Sequence, residues 1–309
     1  MSNYEIAQSK EEWHELRSKG LGGSDIGTLL GVNPYKSKYQ LWLEKTGQVE
    51  SPDISDKIRI KIGNELEDLV ARMFEDETGL KVQRDNKTHF HKDYPFLLAN
   101  IDRKIIGEKA LLECKTTSAF SAKQWKDEEI PASYLMQVQH YLNVLDYDKA
   151  YIAVIIGNHD FVWKEIERDD ELINIYTRMA VEFWESNVLK GEPPEVDGLE
   201  VTKEALNMVE IEENTLPMSK EMLEAVDYIK KLDADIDVLN QEKEKYQNKI
   251  KQEMTKSEAT ELFSLDYSVT WRPFTRITLD SRRLKKEMPE IYQEFSKETH
   301  SKRFSIKER

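Results

Sequence analysis

Two periodicities divide the chain between helices and strands. Ile58, Ile62, Leu66, Leu69, Val70 and Phe74 recur at helical spacing between Ser55 and Gly79, which predicts the longest helix of the first 190 residues with Gly79 as its stop. Shorter helices are expected around Glu11 to Ser18, from near Asp25 with Ser24 as its cap, and through "YKSKYQLWLEKTGQ", ended by Gly47. The period then changes: "LKVQRD", "THFH", "FLLANID" and "ALLECKTT" are short strand-like runs. "PASYLMQVQHYLNVLD" returns to helical spacing with Pro131 at its start. "KAYIAVIIG" and "DFVWKEIERD" suggest a hairpin about the Asn158-His159 turn, and a helix from about Asp170 to Val188 closes the region.

Beyond it, "KGEPPEVDG" has the composition of a linker. Ser219 can cap a long helix in which Met222, Val226, Ile229, Leu232, Ile236, Leu239, Tyr246 and Ile250 step by threes and fours, with Lys243 at one seam position. "LFSLDYSVTWRPF" follows as a strand or hairpin, then a basic helix near Asp280 to Ser296. The pattern predicts a mixed α/β (α+β) domain over residues 1–190, a linker over 191–217, and a helical, coiled-coil-like extension with a short β element over 218–309. That extension is expected to serve oligomerisation or the docking of DNA or a partner.

Composition narrows the class. No apolar run approaches the roughly 18 to 20 residues that a membrane span needs, and "MSNYEIAQSKEEW" has neither the basic start nor the apolar stretch of a secretory signal. The single cysteine, Cys114, excludes an intramolecular disulfide and a four-cysteine zinc or iron–sulfur site built from this chain alone. A soluble protein of a reducing cytoplasm is expected. The net charge of -14 argues against a generally phosphate-binding surface. From Trp271 to Arg309, however, eleven Lys and Arg stand against six Asp and Glu. Any DNA must therefore meet a focused patch, a lined channel, or metal ions that offset the carboxylates.

The candidate chemistry sits in "IDRKIIGEKALLECKTTS", residues 101–118. Strand alternation sends Glu113 and Lys115 to one face and Leu112, Cys114 and Thr116 to the other. If the Leu112 face is core, the opposite face is a polar site or solvent. A turn through Gly107 would bring Asp102 alongside Glu113. Facing carboxylates repel unless a cation sits between them, and a divalent ion with hard oxygen ligands is the usual solution. A neighbouring lysine could orient the attacking water and stabilise charge growing on a phosphate. An ordinary solvated strand face fits the same letters.

Four blocks in order, "EEWHELRSKGLGGSDIG", "GNELEDLVA", "NIDRKI...LLECKTT" and "YLMQVQHYL", resemble the lambda exonuclease and YqaJ-type viral recombinase group of phage and prophage alkaline exonucleases. The resemblance implies the PD-(D/E)XK restriction-endonuclease-like core, a central mixed sheet flanked by helices. It assigns Glu67, Asp102, Glu113 and the carbonyl of Cys114 to the metal, and Lys115 to catalysis alongside Glu67, Asp102 and Glu113. The usual proline before the aspartate is Ile101 here. Arg17 and Ser24 match a 5'-phosphate grip, although a glycine turn with a serine cap reads equally well. Tyr134 and Gln137 match positions near the active site, whereas Leu135, Val138, Leu142 and Leu145 read as core. His140 reads as structural, and His89 and His91 as a strand-face pair, either polar surface or metal-binding.

The activity so implied is Mg2+-dependent 5' to 3' digestion of one strand of linear double-stranded DNA, with two Mg2+ per active site and Mn2+ as a substitute. The 3' single strand left behind would serve homologous recombination with a single-strand DNA annealing protein of the RecT or Red-beta kind. A homo-oligomer, with the ring trimer as the form the resemblance suggests, in the cytoplasm of a bacterial host is implied as well. Two alternatives stay open: another nuclease on this core, Cas4-like or restriction-type, and a non-catalytic DNA-binding scaffold.

Overall fold

The structure, a computed structural model, describes residues 3–51, 55–127, 129–212, 214–298 and 302–308. The chain divides into two compact units, Met1–Glu210 and Ile211–Arg309. The first runs β1 (Tyr4–Glu5), α1 (Lys10–Ser18), α2 (Gly23–Leu29), α3 (Lys38–Lys45), α4 (Ile58–Thr78), β2 (Val82–Arg84), β3 (Thr88–Phe90), β4 (Leu98–Ala99), β5 (Arg103–Ile105), β6 (Ala110–Thr117), α5 (Ala132–Leu145), β7 (Lys149–Ile156), β8 (Asp160–Glu167), α6 (Asp170–Glu182) and α7 (Glu200–Met208).

The central sheet has the order β2-β5-β6-β7-β8. The β6–β7 pair is parallel and the other pairs are antiparallel. The parallel pair requires a crossover, and α5 supplies it. This is an α+β fold with a central mixed sheet flanked by helices, as expected of a PD-(D/E)XK-like architecture.

Both faces of β6 are covered: the face opposite Leu112 is core at Leu111 and carries the polar cluster of Glu113 and Lys115 further along. Ala110, Leu112 and Cys114 pack with Val70, Ala71 and Phe74 of α4. On the opposite face, Leu111 joins the core that α2, α3, α5 and α6 build with Ala150, Ile152 and Val154 of β7. Each wholly buried leucine contributes roughly 1.5–3 kcal/mol relative to exposure. The polar groups begin only at Glu113, further along the α5-covered face.

Helix α4 ends at Gly79, whose φ of +74° suits a residue without a β-carbon. Its apolar stripe is only half used. Val70 and Phe74 are buried, while Ile58 and Ile62 are exposed, because α4 meets the sheet through its later turns. Of the strand expected over "FLLANID" only Leu98–Ala99 forms: β4 pairs with β3 in a separate three-stranded sheet, and β5 starts just beyond it at Arg103. The segment expected to be linker contains α7, whose Thr202 and Ala205 are buried, with Ala205 in the main core.

The second unit holds α8 (Lys220–Lys256), β9 (Glu261–Phe263), β10 (Ser268–Thr270), α9 (Ser281–Glu287) and α10 (Pro289–Glu294). Ser219 caps α8 by accepting the N–H of Met222 at 3.2 Å. Leu232, Ile236, Leu239 and Tyr246 of its seam are exposed. The basic helix expected from Asp280 to Ser296 is two short helices broken at Met288, because Pro289 cannot continue the first and instead starts the second. No helix among the described residues is long and apolar enough to cross a membrane.

Candidate active site

Asp102 lies where the chain leaves one sheet and enters another, between β4 and β5. Arg103 is paired with Leu112 at the end of the β5–β6 ladder. The Cys114 N–H, beyond that ladder, donates to Asp102 Oδ2 at 2.8 Å. The carboxylate thus stands in for the missing strand and is fixed beside Glu113.

Glu113 is buried, and its Oε1 accepts from Lys115 Nζ at 2.6 Å and Gln137 Nε2 at 2.8 Å. Lys115 Nζ also donates to Gln137 Oε1 at 3.2 Å and lies 4.9 Å from the centre of the Tyr134 ring. Gln137 Nε2 donates further to the Tyr141 hydroxyl at 2.9 Å. The spacing of four between Gln137 and Tyr141 puts both on the face of α5 that covers β6. Glu113 Oε2 is buried and has no hydrogen-bond partner.

Two carboxylates share one ammonium here. Burial and the adjacent Glu113 push the Asp102 carboxyl up to about 8, with Lys115 pulling the other way. Burial alone would lower the Lys115 ammonium, but Glu113 and Asp102 outweigh it and hold it above its ordinary value. Burial, then Asp102 and Glu113, raise the Cys114 thiol. The free sulfur belongs to the α4-side core.

Glu67 is placed differently. Its Oε1 accepts from Arg103 at 2.5 Å, and Arg103 also holds Asp68 at 2.5 Å and donates to the Asp102 carbonyl at 2.7 Å. Arg84 adds a contact to Asp68 at 2.8 Å. Among the described residues, no three His, Cys, Asp or Glu side chains form a ready metal cage. Arg103, the link between Glu67 and Asp102, is missing from the sequence reading. Its signal was alternation with Ile105 toward the side of the sheet that α4 covers, opposite the acidic "ELED" run.

Ser24 is not the cap of α2. The helix starts at Gly23, and the Gly22 N–H donates to Asp25 Oδ2 at 3.0 Å. The Ser24 hydroxyl instead accepts from Arg17 at 3.4 Å, and the Arg17 guanidinium lies 4.7 Å from the Trp13 ring centre. Asp25 is buried against Lys45 at 3.0 Å and Lys36 at 3.7 Å. Although burial opposes ionisation, Lys45, Lys36 and Arg17 hold its carboxyl far below the usual range. A β-carbon at Gly23 would come within 2.6 Å of Tyr141 Cε1 and 2.8 Å of Gln137 Cγ. Glycine there lets α2 approach α5, so Ser24 follows directly on a residue seated against the Glu113 network.

The histidines separate. His89 Nε2 lies 3.3 Å from Asp85 Oδ2, whereas His91 Nδ1 accepts the N–H groups of Asp93 and Tyr94 at 3.1 Å each. His140 is wholly buried and donates from Nε2 to the Leu98 carbonyl at 2.9 Å. Burial lowers its imidazole to about 4, so it is neutral at ordinary pH.

The YqaJ-like viral recombinase domain matches residues 12–148, which include every residue of the constellation. The protein YqaJ of Bacillus subtilis (strain 168) is 44% identical over 305 residues, covering 97% of this chain and 95% of that protein. Among solved structures, an alkaline exonuclease (LHK-Exo) from Laribacter hongkongensis is 17% identical with a TM-score of 0.48, covering 57% of this chain and 92% of that one. A phage-related exonuclease from Haemophilus somnus 129PT is 16% identical with a TM-score of 0.42, covering 56% and 96%. With nearly half of its residues identical along almost the whole length of a YqaJ protein, the chain belongs to the YqaJ-like viral recombinase family.

Proposed function

We propose that the protein is a Mg2+-dependent exonuclease that digests one strand of linear duplex DNA from its 5' end. The observation that carries this reading is the charge deficit around Glu113. One oxygen of the buried Glu113 carboxylate has no hydrogen-bond partner, and the same carboxylate helps to drive Asp102 toward protonation. Hard oxygen donors short of positive charge suit a divalent cation.

Asp102 and Glu113 would hold that cation, with the Cys114 carbonyl beside them and Glu67 completing the set in exchange for its Arg103 contact. Two Mg2+ per site, with Mn2+ as a substitute, is the stoichiometry proposed. When bound, the metal supplies the positive charge that activates water and offsets charge on the phosphodiester.

Lys115 acts as a cation and hydrogen-bond donor rather than a base, because its two carboxylate neighbours keep it protonated. Gln137 orients it: the amide oxygen takes the ammonium while the amide nitrogen is committed to Glu113 and Tyr141. A donor fixed in this way needs no rearrangement as charge develops on the phosphate. Tyr134 backs the ammonium with its ring face.

Arg17 and Ser24 are proposed to take the 5'-phosphate, and their connection through Gly23 to Gln137 and Tyr141 supports cleavage from that end. Family membership supports a role in recombination, with a single-strand annealing protein as partner for the 3' strand produced. A homo-oligomer in the form of a ring trimer is part of the same proposal, with the second unit serving assembly or docking.

The test is a linear duplex labelled separately at its 5' and 3' ends, incubated with Mg2+ beside Lys115→Ala and EDTA controls. Early release of short 5'-labelled products, lost in both controls, is expected. Retained duplex binding without cleavage in either Mg2+ or Mn2+ would reject the nuclease reading in favour of a scaffold.

A further inference from the structure

A cleft of about 480 Å³ lies between the α2–α3 turn and the start of α5, lined among others by Val32, Pro34, Tyr35, Gln124, Glu129 and Tyr134. It shares Tyr134 with the proposed active site, since this lining residue also presents its ring to Lys115 Nζ at 4.9 Å. Tyr35 is 74% exposed, far more than an aromatic serving the core. The Arg59 guanidinium lies over the Tyr35 ring at 5.6 Å and steadies this otherwise open side chain.

The opposite wall is built rather than incidental. Lys164 of β8 is buried, and its ammonium donates to the carbonyls of Trp125 at 3.2 Å, Asp127 at 2.6 Å and Glu129 at 2.6 Å. One charged group thus satisfies three backbone carbonyls of a single loop, including that of Asp127, whose φ is +50°. Trp125, held at the same point, stacks on Tyr134 with ring centres 5.8 Å apart. The loop between β6 and α5 is therefore tied down on the side of the cleft nearest Lys115.

We propose that this cleft receives a nucleobase of the bound DNA, stacked on Tyr35, while an adjoining phosphate lies on the Lys115 side of the Tyr134 ring. The proposal rests on the nuclease reading and names where that substrate's base goes. Aromatic and proline walls offer apolar flat contact, whereas Gln124, Glu129 and Ser133 give polar edges, a mixture that suits a base better than an aliphatic chain. Stacking engages the face that every base shares, so Tyr35 adds affinity with little sequence preference.

The experiment uses the full-length protein and 5'-phosphorylated duplexes carrying 2-aminopurine at successive positions from the end, with Ca2+ replacing Mg2+. Wild-type protein is expected to change the fluorescence strongly at one position. Tyr35→Ala should lose that change and bind about 5- to 150-fold more weakly, the range of a single base–aromatic stack. Tyr35→Phe should retain both properties, and an abasic nucleotide at that position should reduce wild-type binding to the Tyr35→Ala level. Because Tyr35 is exposed, the alanine variant does not threaten the core. Equal fluorescence and affinity for wild type and Tyr35→Ala would overturn the assignment, as would indifference to the abasic nucleotide. Mg2+-dependent cleavage without a Tyr35-dependent stack overturns the cleft alone, whereas a stack without cleavage overturns the nuclease reading and leaves the base site standing.

Discussion

Asp25 and Asp102 carry the same carboxylate into neighbouring parts of one domain and meet opposite fates. Asp25 has Lys45 and Lys36 beside it and the Gly22 N–H on its Oδ2, and its carboxyl is held far below the usual range. Asp102 accepts the Cys114 N–H, but Glu113 stands next to it and their one close ammonium is already bonded to Glu113. Its carboxyl is driven up to about 8 by burial and that neighbour. The first site is closed electrically by the protein itself. The second is left one positive charge short, and such a shortage costs the fold something unless a ligand relieves it.

The largest effect expected is on Glu113→Gln. The change keeps the shape and removes one negative charge, so the metal-free protein should resist urea as well as wild type or better. Cleavage should nevertheless fall by at least about 10²- to 10³-fold, the scale for losing one electrostatic contact to the transition state. Wild-type cleavage by Glu113→Gln would break the comparison, since the deficit would then have no catalytic purpose.

The converse substitution is Asp25→Asn. Lys45, whose side chain is 8% exposed, would keep its charge and lose its carboxylate. Breaking one side of a buried ion pair costs about 3–5 kcal/mol. Urea unfolding should register that loss, while Mg2+ affinity measured on the folded variant should stay at the wild-type value. A large fall in Mg2+ affinity without a loss of stability would reverse the roles assigned to the two aspartates.

The two sites also differ in how far they could be read from the letters. Alternation was sufficient to pair Glu113 with Lys115 and to turn the chain through Gly107, because a strand has only two faces. It could not say that α5 would cover the Lys115 face, since a period of two is blind to what packs from outside the sheet. Arg103 escaped for a related reason: its partners on α4 lie 35 and 36 residues away, and only the folded sheet brings them together. Ser24 was misread as a cap because serine and aspartate both cap helices, and the neighbouring Asp25 reached the Gly22 N–H instead. The break at Met288 is legible in Pro289, which cannot continue one helix and can start the next. For α4, periodicity found the stripe but not its depth, because the sheet covers only the later turns.

Acid and base should separate the aspartates in metal-free protein. Asp102 binds a proton in the folded state up to about pH 8, whereas the unfolded chain releases it near 3.8. The folded state therefore holds more protons across that window, and stability contributed by Asp102 is lost as pH rises from about 4 to 8. Asp25 has the opposite sign: its contribution is present above its ordinary value of 3.8 and is lost as pH falls below it. Urea midpoints in EDTA at several pH values should decline toward pH 8, and Asp102→Asn should flatten that decline. Since a metal ion displaces the proton, the stabilisation by Mg2+ should be greater at pH 8 than at pH 6. A midpoint in EDTA that rises steadily to pH 8 and is unaffected by Asp102→Asn would remove the charge deficit from the comparison.

The smallest effect concerns the residue that the Asp25 cluster leaves over. Lys45 makes the close ion pair with Asp25, and Lys36, bonded to Glu44 at 2.5 Å, adds a second positive charge at 3.7 Å, so the Arg17 side chain is left to Ser24 and Trp13. A guanidinium held over an indole and hydrogen-bonded to a hydroxyl keeps further N–H donors for a phosphate without being neutralised by a carboxylate of its own. Losing a single hydrogen bond to a charged group costs about 1.5–3 kcal/mol, a factor of roughly ten to a hundred in binding. Arg17→Ala should therefore erase a preference of that size for 5'-phosphate over 5'-hydroxyl ends. Its urea midpoint should barely move, because Asp25 keeps both lysines. If Arg17→Ala instead unfolds the protein as readily as Asp25→Asn while end preference persists, Arg17 belongs to the closed site and the phosphate must be read elsewhere.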